Sequence, residues 1–530
     1  MAGPIRVRKY SKVNLLKLFE ENRRTTSKEM ITKKTHFEYF NAYLKSKYMR
    51  AKTIVVENDY IDRDFLEDFS AYYVRCFSNY SRMCIRLHFF SNQFLQAEFD
   101  SFLVKYDPEF EKVLKSNYLG FIVLKPLPQT IVGRTCLKTY REKTEPEDKR
   151  VFPIRRDNDV NLCGINLTVK SLAFQEQDSV VSACATSALW SAFHGTAKLF
   201  QHKILSPVEI TKSATEHFPL QERPFPNKGL NIEQMMHAVK ELGMEPLLVN
   251  VENDEYTLKN YIYSYLTYGI PIILIIDLYD TDTGAEEENN YEGRHAVVIT
   301  GYRLQTEVAK SHSYDNLRLV SSNMTKFYVH DDQIGPFAKM IMDTKKIKIK
   351  NGENQAIETT ALDTEWKFRA VPIIILIPLY HKIRIPLENI LEIIEIFNSI
   401  INNSIENIED EMLPTEKFEW DIFLTNISKF KNEILSKSGK EGNFKDILKK
   451  NMPRFIWRTT ALYMGKPVMD LLFDATDIEQ GNLFLCGIVY NREIFSAIRS
   501  IIISHENASD PLKIRSAGKA LLKWLENWSG

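Results

Sequence analysis

The thiol of Cys184 and the imidazole of His295 are the pair in this chain whose types and order could do nucleophilic chemistry. Cys184 sits in the run Gln177 to Trp190, where Ala185, Ala188 and Leu189 follow it closely enough to start a helix. A thiol at a helix N-terminus faces unpaired backbone N–H groups and the positive end of the helix dipole, which favour its thiolate. His295 opens the strand-like run Arg294 to Tyr302, and an imidazole held there can take the thiol proton and return it to a leaving group. A cysteine followed about 110 residues later by a histidine, and then by a carboxylate, is an order used by cysteine hydrolases.

A third group must hold the ring. Asp331 and Asp332 compete for that role in the run Lys326 to Pro336. If strand 295–302 pairs antiparallel with strand 325–331 so that His295 faces Asp331, Val297 faces Val329 and Asp332 turns to the opposite side. Asp331 is then the expected partner. Donors for a tetrahedral oxyanion are expected from the backbone N–H of Cys184 and from the side-chain amide of Gln177, seven residues earlier. Cys163 is the rival nucleophile, but no helix starts after it, and His330 should point away from the site and be structural.

These groups need elements to position them. The spacing predicts a helix from Cys184 through Leu189, Ala192 and Phe193. A capping box at Asn231 and Gln234 predicts a second, with Ile232, Met235, Met236, Val239 and Leu242 on one face and Gly243 as its stop. A third helix is expected over 258–266, before a strand over 272–277. Residues 118–124 and 371–380 read as buried strands and 386–405 as an amphipathic helix. Further apolar runs lie at 453–457, 471–477 and 483–490. The stretch 434–447 reads as a surface linker, and 146–159 as a charged connector between domains. Acidic residues across 280–292 match no calcium-loop spacing and read as a solvated loop, so no metal or other cofactor is expected. The domain expectation is a basic helical arm over 1–50, an α/β region over 51–165, a catalytic core over 166–345 and a helix-rich α/β region over 346–530.

Composition bounds the rest. The 530 residues carry no net charge, with 44% hydrophobic and 26% charged residues, as an ordinary globular chain does. Six scattered cysteines form neither a disulfide framework nor a zinc pattern, which suits a reducing cytoplasm. No apolar run follows the basic start as a secretory signal would, and residues 371–380 are too short to span a bilayer, so no membrane association is expected. Residues 1–55 carry 14 Lys/Arg against 4 Glu, which makes them either a solvated arm or a handle for nucleic acid or an acidic partner.

Residues 166–345 resemble a papain-like fold, in particular the bacteriocin-leader (double-glycine) peptidases of some bacterial exporters and their soluble relatives. The resemblance rests on Gln177 before Cys184, on the runs Gly229 to Val239 and Tyr268 to Ile273, on His295 to Tyr302 and on Tyr328 to Asp331. It covers about a third of the chain. Ala185 stands where that family has glycine, and its glutamine lies six residues ahead of the cysteine, where this chain has Asp178. The resemblance implies an α+β fold, with the cysteine on an N-terminal helix and the histidine and aspartate on an antiparallel sheet.

The expectation is a cytoplasmic cysteine peptidase that cleaves peptide or isopeptide bonds of a selected protein substrate through a thioester. A bacterial stress or antiphage effector would have this shape, by analogy alone. The same residues also suit transglutaminase, deamidase or acyltransferase chemistry. The competing class is a non-catalytic papain-fold protein that recruits nucleic acid or a partner through its basic arm.

Overall fold

The computed structural model describes residues 3–21, 28–145, 147–178, 183–216, 229–280, 290–305, 317–350, 356–365, 368–406, 417–439, 444–477, 483–504, 512 and 516–528. Its elements make an α+β architecture of three larger sheets and one hairpin.

The first sheet runs in chain order through β1 (Ile5–Lys9), β2 (Thr53–Tyr60), β3 (Cys84–Phe90), β4 (Tyr118–Leu124) and β5 (Val132–Leu137), all antiparallel. Helices α1 (Lys12–Glu21), α2 (Lys28–Lys33) and α3 (Thr35–Lys45) lie between β1 and β2. The next two strands are bridged by α4 (Arg63–Ala71), and α5 (Gln96–Val104) and α6 (Pro108–Asn117) precede β4. Every residue of β4 is buried, as its apolar run requires.

This sheet corrects the expectation of a separate basic arm. Val7 pairs with Val55 across β1 and β2, so residues 1–50 share a sheet with the region that follows. The apolar face of α1, Leu15, Leu16, Leu18 and Phe19, is buried in one cluster with Phe37 and Phe40 of α3 and with Ile54 and Leu87 of the sheet. Each large apolar side chain buried contributes roughly 1.5–3 kcal/mol to docking this helix on the sheet, while its charged side can stay in water. Several of the basic residues are paired within the protein: Arg6 with Glu21, Lys12 with Glu38 and Lys34 with Glu176.

The expected connector over 146–159 contains structure instead. After β6 (Lys143–Glu145) come β7 (Asp148–Val151) and a hairpin of β8 (Arg156–Leu162) and β9 (Ile165–Ser171) that crosses the boundary at 165. Strict alternation along β9 buries Ile165, Leu167, Val169 and Ser171 and leaves the residues between them exposed. Cys163 occupies the tip of this hairpin with a left-handed backbone (φ 51°) and is exposed.

The next helices are α7 (Cys184–Phe200), α8 (Pro207–Thr215) and α9 (Ile232–Glu241). They lead to β10 (Met244–Asn250), α10 (Glu255–Leu266), β11 (Ile272–Asp280), β12 (Asn290–Gln305), the short β13 (Arg318–Leu319), β14 (Met324–Asp331), β15 (Gly335–Lys350), β16 (Ala356–Thr364) and β17 (Phe368–Tyr380). Helix α9 starts as its capping box requires, with the Asn231 side chain accepting from Gln234 N and Gln234 Oε1 accepting from Asn231 N.

Strands β11, β12, β14, β15, β16 and β17 pair in that order, and β17 returns to β11. The six antiparallel strands therefore close on themselves, which leaves no free edge within the ring. Strand β10 adds to β17, and β7 with β6 adds to β12. The boundary expected at 345 falls inside β15, and the strand at 371–380 belongs to this central sheet.

The C-terminal part holds α11 (Leu387–Glu406), β18 (Glu419–Asn426), α12 (Ile427–Lys437), α13 (Lys445–Lys449), β19 (Phe455–Tyr463), β20 (Lys466–Asp474), β21 (Phe484–Val489), α14 (Arg492–Ser504) and α15 (Ser516–Asn527). Its sheet is ordered β13-β18-β19-β20-β21. The stretch expected as a linker at 434–447 instead holds the end of α12, which buries Phe430 and Ile434, and α13. No helix among the described residues is long and apolar enough to cross a membrane.

Candidate active site

Helix α7 begins at Cys184, after Ala183 in an extended conformation with no side-chain cap. Its first intrahelical bond runs from Ser187 N to Ala183 O at 3.0 Å. The N–H groups of Cys184 and Ala185 therefore have no acceptor inside the helix, and no acidic side chain occupies the first turn. The helix is buried nearly all round, through Leu189, Trp190, Ala192 and Phe193 among others, so its start is fixed by packing. Cys184 itself is half-buried and free of any disulfide.

His295 lies on β12, opposite Ile276 of β11. The strand starts at Asn290, so His295 is inside it and not at its beginning, and residues 290–292 of the expected acidic loop are strand; 281–289 fall outside the described residues. The ring is 3% exposed. Its Nε2 is 3.0 Å from Asp331 Oδ1 and 3.4 Å from Asp332 Oδ1, and the Cys184 side chain is near enough to the same ring to raise its basicity. With Nε2 turned to the carboxylates, Nδ1 is the nitrogen left for the thiol. The aspartate thus takes Nε2.

The strand register also differs from expectation. Val298 pairs with His330 and Ile299 with Val329, a shift of two residues from the alignment that would place His295 opposite Asp331. A shift of two preserves the face, so Asp331 still reaches His295 as a diagonal neighbour. Asp332 does not obey the alternation. Strand β14 ends at Asp331, and a tight turn follows in which Ile334 N donates to Asp331 O at 3.0 Å. Outside the pleat, the Asp332 carboxyl swings to the same side as its neighbour.

The electrostatics separate the two acids. Burial opposes ionisation of Asp331, but the His295 charge, its hydrogen bond and the Gln333 N–H outweigh it and hold this carboxyl below its usual range. Asp332 is 4% exposed, and among the described residues neither of its carboxyl oxygens has a hydrogen-bond partner. Burial pushes it up to about 7, against the pull of His295. Burial would lower the basicity of His295, but the charges of Asp331 and Asp332, the hydrogen bond to Asp331 and the nearby Cys184 thiol raise it well above an ordinary imidazole.

The remaining expected residues fall as follows. Gln177 is half-buried in the extended stretch between β9 and α7, and no hydrogen bond of its side chain to Cys184 or His295 is found among the described residues. Residues 179–182 lie outside that set. Asp178, at the offset where the resembling peptidases carry glutamine, accepts a hydrogen bond from the Tyr73 hydroxyl. His330 packs edge-on to Phe174 and Phe337, and burial pushes it down to about 3, as a structural histidine. Burial pushes the thiols of Cys84, Cys136 and Cys486 up.

Glu176, Lys34 and His36 were not anticipated. Lys34 pairs with Glu176 Oε1 at 2.6 Å, and His36 Nε2 donates to Asp332 O at 2.7 Å. No local pattern marks them, because their partners are distant in the chain. His295, Asp331 and Asp332 also place three potential ligand atoms within 4.8 Å of one another. A ring nitrogen whose proton is donated to Asp331 has no lone pair for a cation, so hydrogen bonding and coordination at Nε2 exclude each other. None of the protein-family models matches this chain, and no curated protein matches it.

Proposed function

We propose that this protein is a cysteine hydrolase of papain-like architecture acting on peptide or isopeptide bonds. The observation that carries the reading is the ordered contact from Cys184, at a helix start, to His295 and from His295 Nε2 to Asp331.

In this reading the Cys184 Sγ attacks the amide carbonyl carbon as its proton passes to His295. The carbonyl π pair moves to oxygen, and the Cys184 and Ala185 N–H groups, which have no acceptor inside α7, are the donors for that oxyanion. Collapse expels the amine, which leaves with the proton from His295, and a thioester remains. A water molecule attacks the thioester, His295 accepts its proton, and the released thiolate regains a proton as the acid product departs. Asp331 keeps the ring oriented and its positive charge compensated throughout. An amine in place of water would give acyl transfer by the same steps.

The test is a comparison of cellular proteins cleaved by the wild-type protein and by Cys184→Ala, read by mass spectrometry of new N-termini. Termini that depend on Cys184 support the reading. A wild type that creates none, and whose Cys184 reacts with iodoacetamide no faster than Cys163, would favour the binding-protein alternative. Activity that survives Cys184→Ala but disappears with a chelator would instead assign the three ligand atoms around His295 to a metal.

A further inference from the structure

We infer that helix α3 of the N-terminal segment is a working part of the site, and that His36 is a positioning residue which holds the turn carrying Asp331 and Asp332. The inference rests on the cysteine-hydrolase reading, and it adds to it an element about 140 residues ahead of the nucleophile.

The turn after β14 has little holding it within its own strand pair. Asp331 Oδ1 accepts from Gln333 N at 3.0 Å, and the turn closes through Ile334 N to Asp331 O. Helix α3 supplies the rest. A backbone carbonyl can only accept, so His36 must present an Nε2–H to Asp332 O, at 2.7 Å. One turn along the helix, the Tyr39 hydroxyl donates to Pro336 O at 2.6 Å. Between these anchors Gly335 has φ +155°, and a Cβ there would lie 2.3 Å from the Tyr39 ring. The glycine thus lets the helix seat directly on the turn. Thr35 completes the contact, lining with Asp331 and Gln333 a small cavity of about 90 Å³.

The same helix start reaches the other arm of the site. Lys34, at the N-cap position of α3, has no capping bond to make and pairs instead with Glu176, eight residues ahead of Cys184. Glu176 is buried and accepts from Ile131 N at 2.8 Å and Val132 N at 2.9 Å. His36 Nδ1 lies 3.9 Å from Glu176 Oε1, so two residues of one helix tie together the segment leading to the nucleophile and the turn bearing the acids. A loosened turn would let the carboxylates drift from Nε2, and an error of about an ångström in such a contact costs up to roughly a hundredfold in rate.

The rate of carboxamidomethylation of Cys184 against pH tests this without a substrate, with exposed Cys163 as the internal reference. The groups facing the His295 ring are Cys184, Asp331 and Asp332, with His36, Lys34 and Glu176 behind them. In the wild type Cys184 should react faster than Cys163 at pH 6, and His36→Ala should slow it about tenfold. His36→Gln, whose amide N–H can reach the same carbonyl, should stay within about threefold of wild type. A folded His36→Ala whose profile superimposes on a fast wild-type profile overturns the positioning role while leaving the hydrolase reading intact. A wild type in which Cys184 is no faster than Cys163 overturns both. If His36→Ala does not fold, Tyr39→Phe, which removes one hydrogen bond, decides: slower labelling supports the role, and an unchanged profile overturns it.

Discussion

Asp332 Oδ1 lies 3.4 Å from His295 Nε2, yet among the described residues neither oxygen of that carboxyl makes a hydrogen bond. Asp331, its neighbour, makes the bond at 3.0 Å and stays ionised. Two adjacent acids thus face one imidazole, one as its partner and the other as a buried reserve of charge that titrates near neutrality.

Asp331→Ala should lower kcat/KM by about 10²–10⁴-fold, because the ring loses the carboxylate hydrogen-bonded to Nε2. Asp331→Asn should be milder, since its amide oxygen can still accept from Nε2–H. The Asp332 variants should cost less than either. Steady-state kinetics on one cleavable substrate ranks them, and a loss at Asp332 equal to that at Asp331 would mean the two acids work as one unit.

Asp332→Asn should change stability in a pH-dependent way. The folded-state value of about 7 lies above the ordinary carboxylate range, so the folded protein holds this proton more tightly than the unfolded chain does. Stability from this group is full at low pH and is lost as pH rises from about 4 through 7. The neutral amide escapes that loss, worth up to about 4 kcal/mol. At pH 8 the variant should melt above wild type, and at pH 4 the two should converge. Thermal melts at both values check this, and a gap equal at both would rule out titration as its cause.

Cys184→Ala should abolish turnover, by roughly 10³-fold or more, while the melting temperature stays close to wild type. Alanine is a strong helix former, and the half-buried thiol leaves little space behind. Residual hydrolysis with a thiol-dependent pH profile would move the nucleophile elsewhere, with Cys163 tested first.

Deletion of residues 1–50 should yield an unstable or insoluble protein. It removes β1 from a five-stranded sheet, uncovers Ile54 and Leu87, and strips α3 from the acid turn. Circular dichroism and solubility of the truncated chain give the measurement. A soluble, cooperatively melting product would show that the central sheet holds its fold without this segment.

Local physics made much of this chain legible from sequence alone. The Asn231 capping box, the continuous buried apolar run of β4, and the helix that opens at Cys184 depend on neighbours within a few residues, so composition and spacing determine them. The order of Cys184, His295 and Asp331 along the chain belongs there too. Tertiary structure decided the rest. Strand register is set by which side chains pack best across β12 and β14, and periodicity of two cannot distinguish an alignment from one shifted by two. The side taken by Asp332 depends on where β14 stops pairing and a turn begins. His36 and Asp332 are 296 residues apart, and only the docking of α3 on the turn brings them together. Their contact is a product of burial in three dimensions, which leaves no periodic trace in either segment.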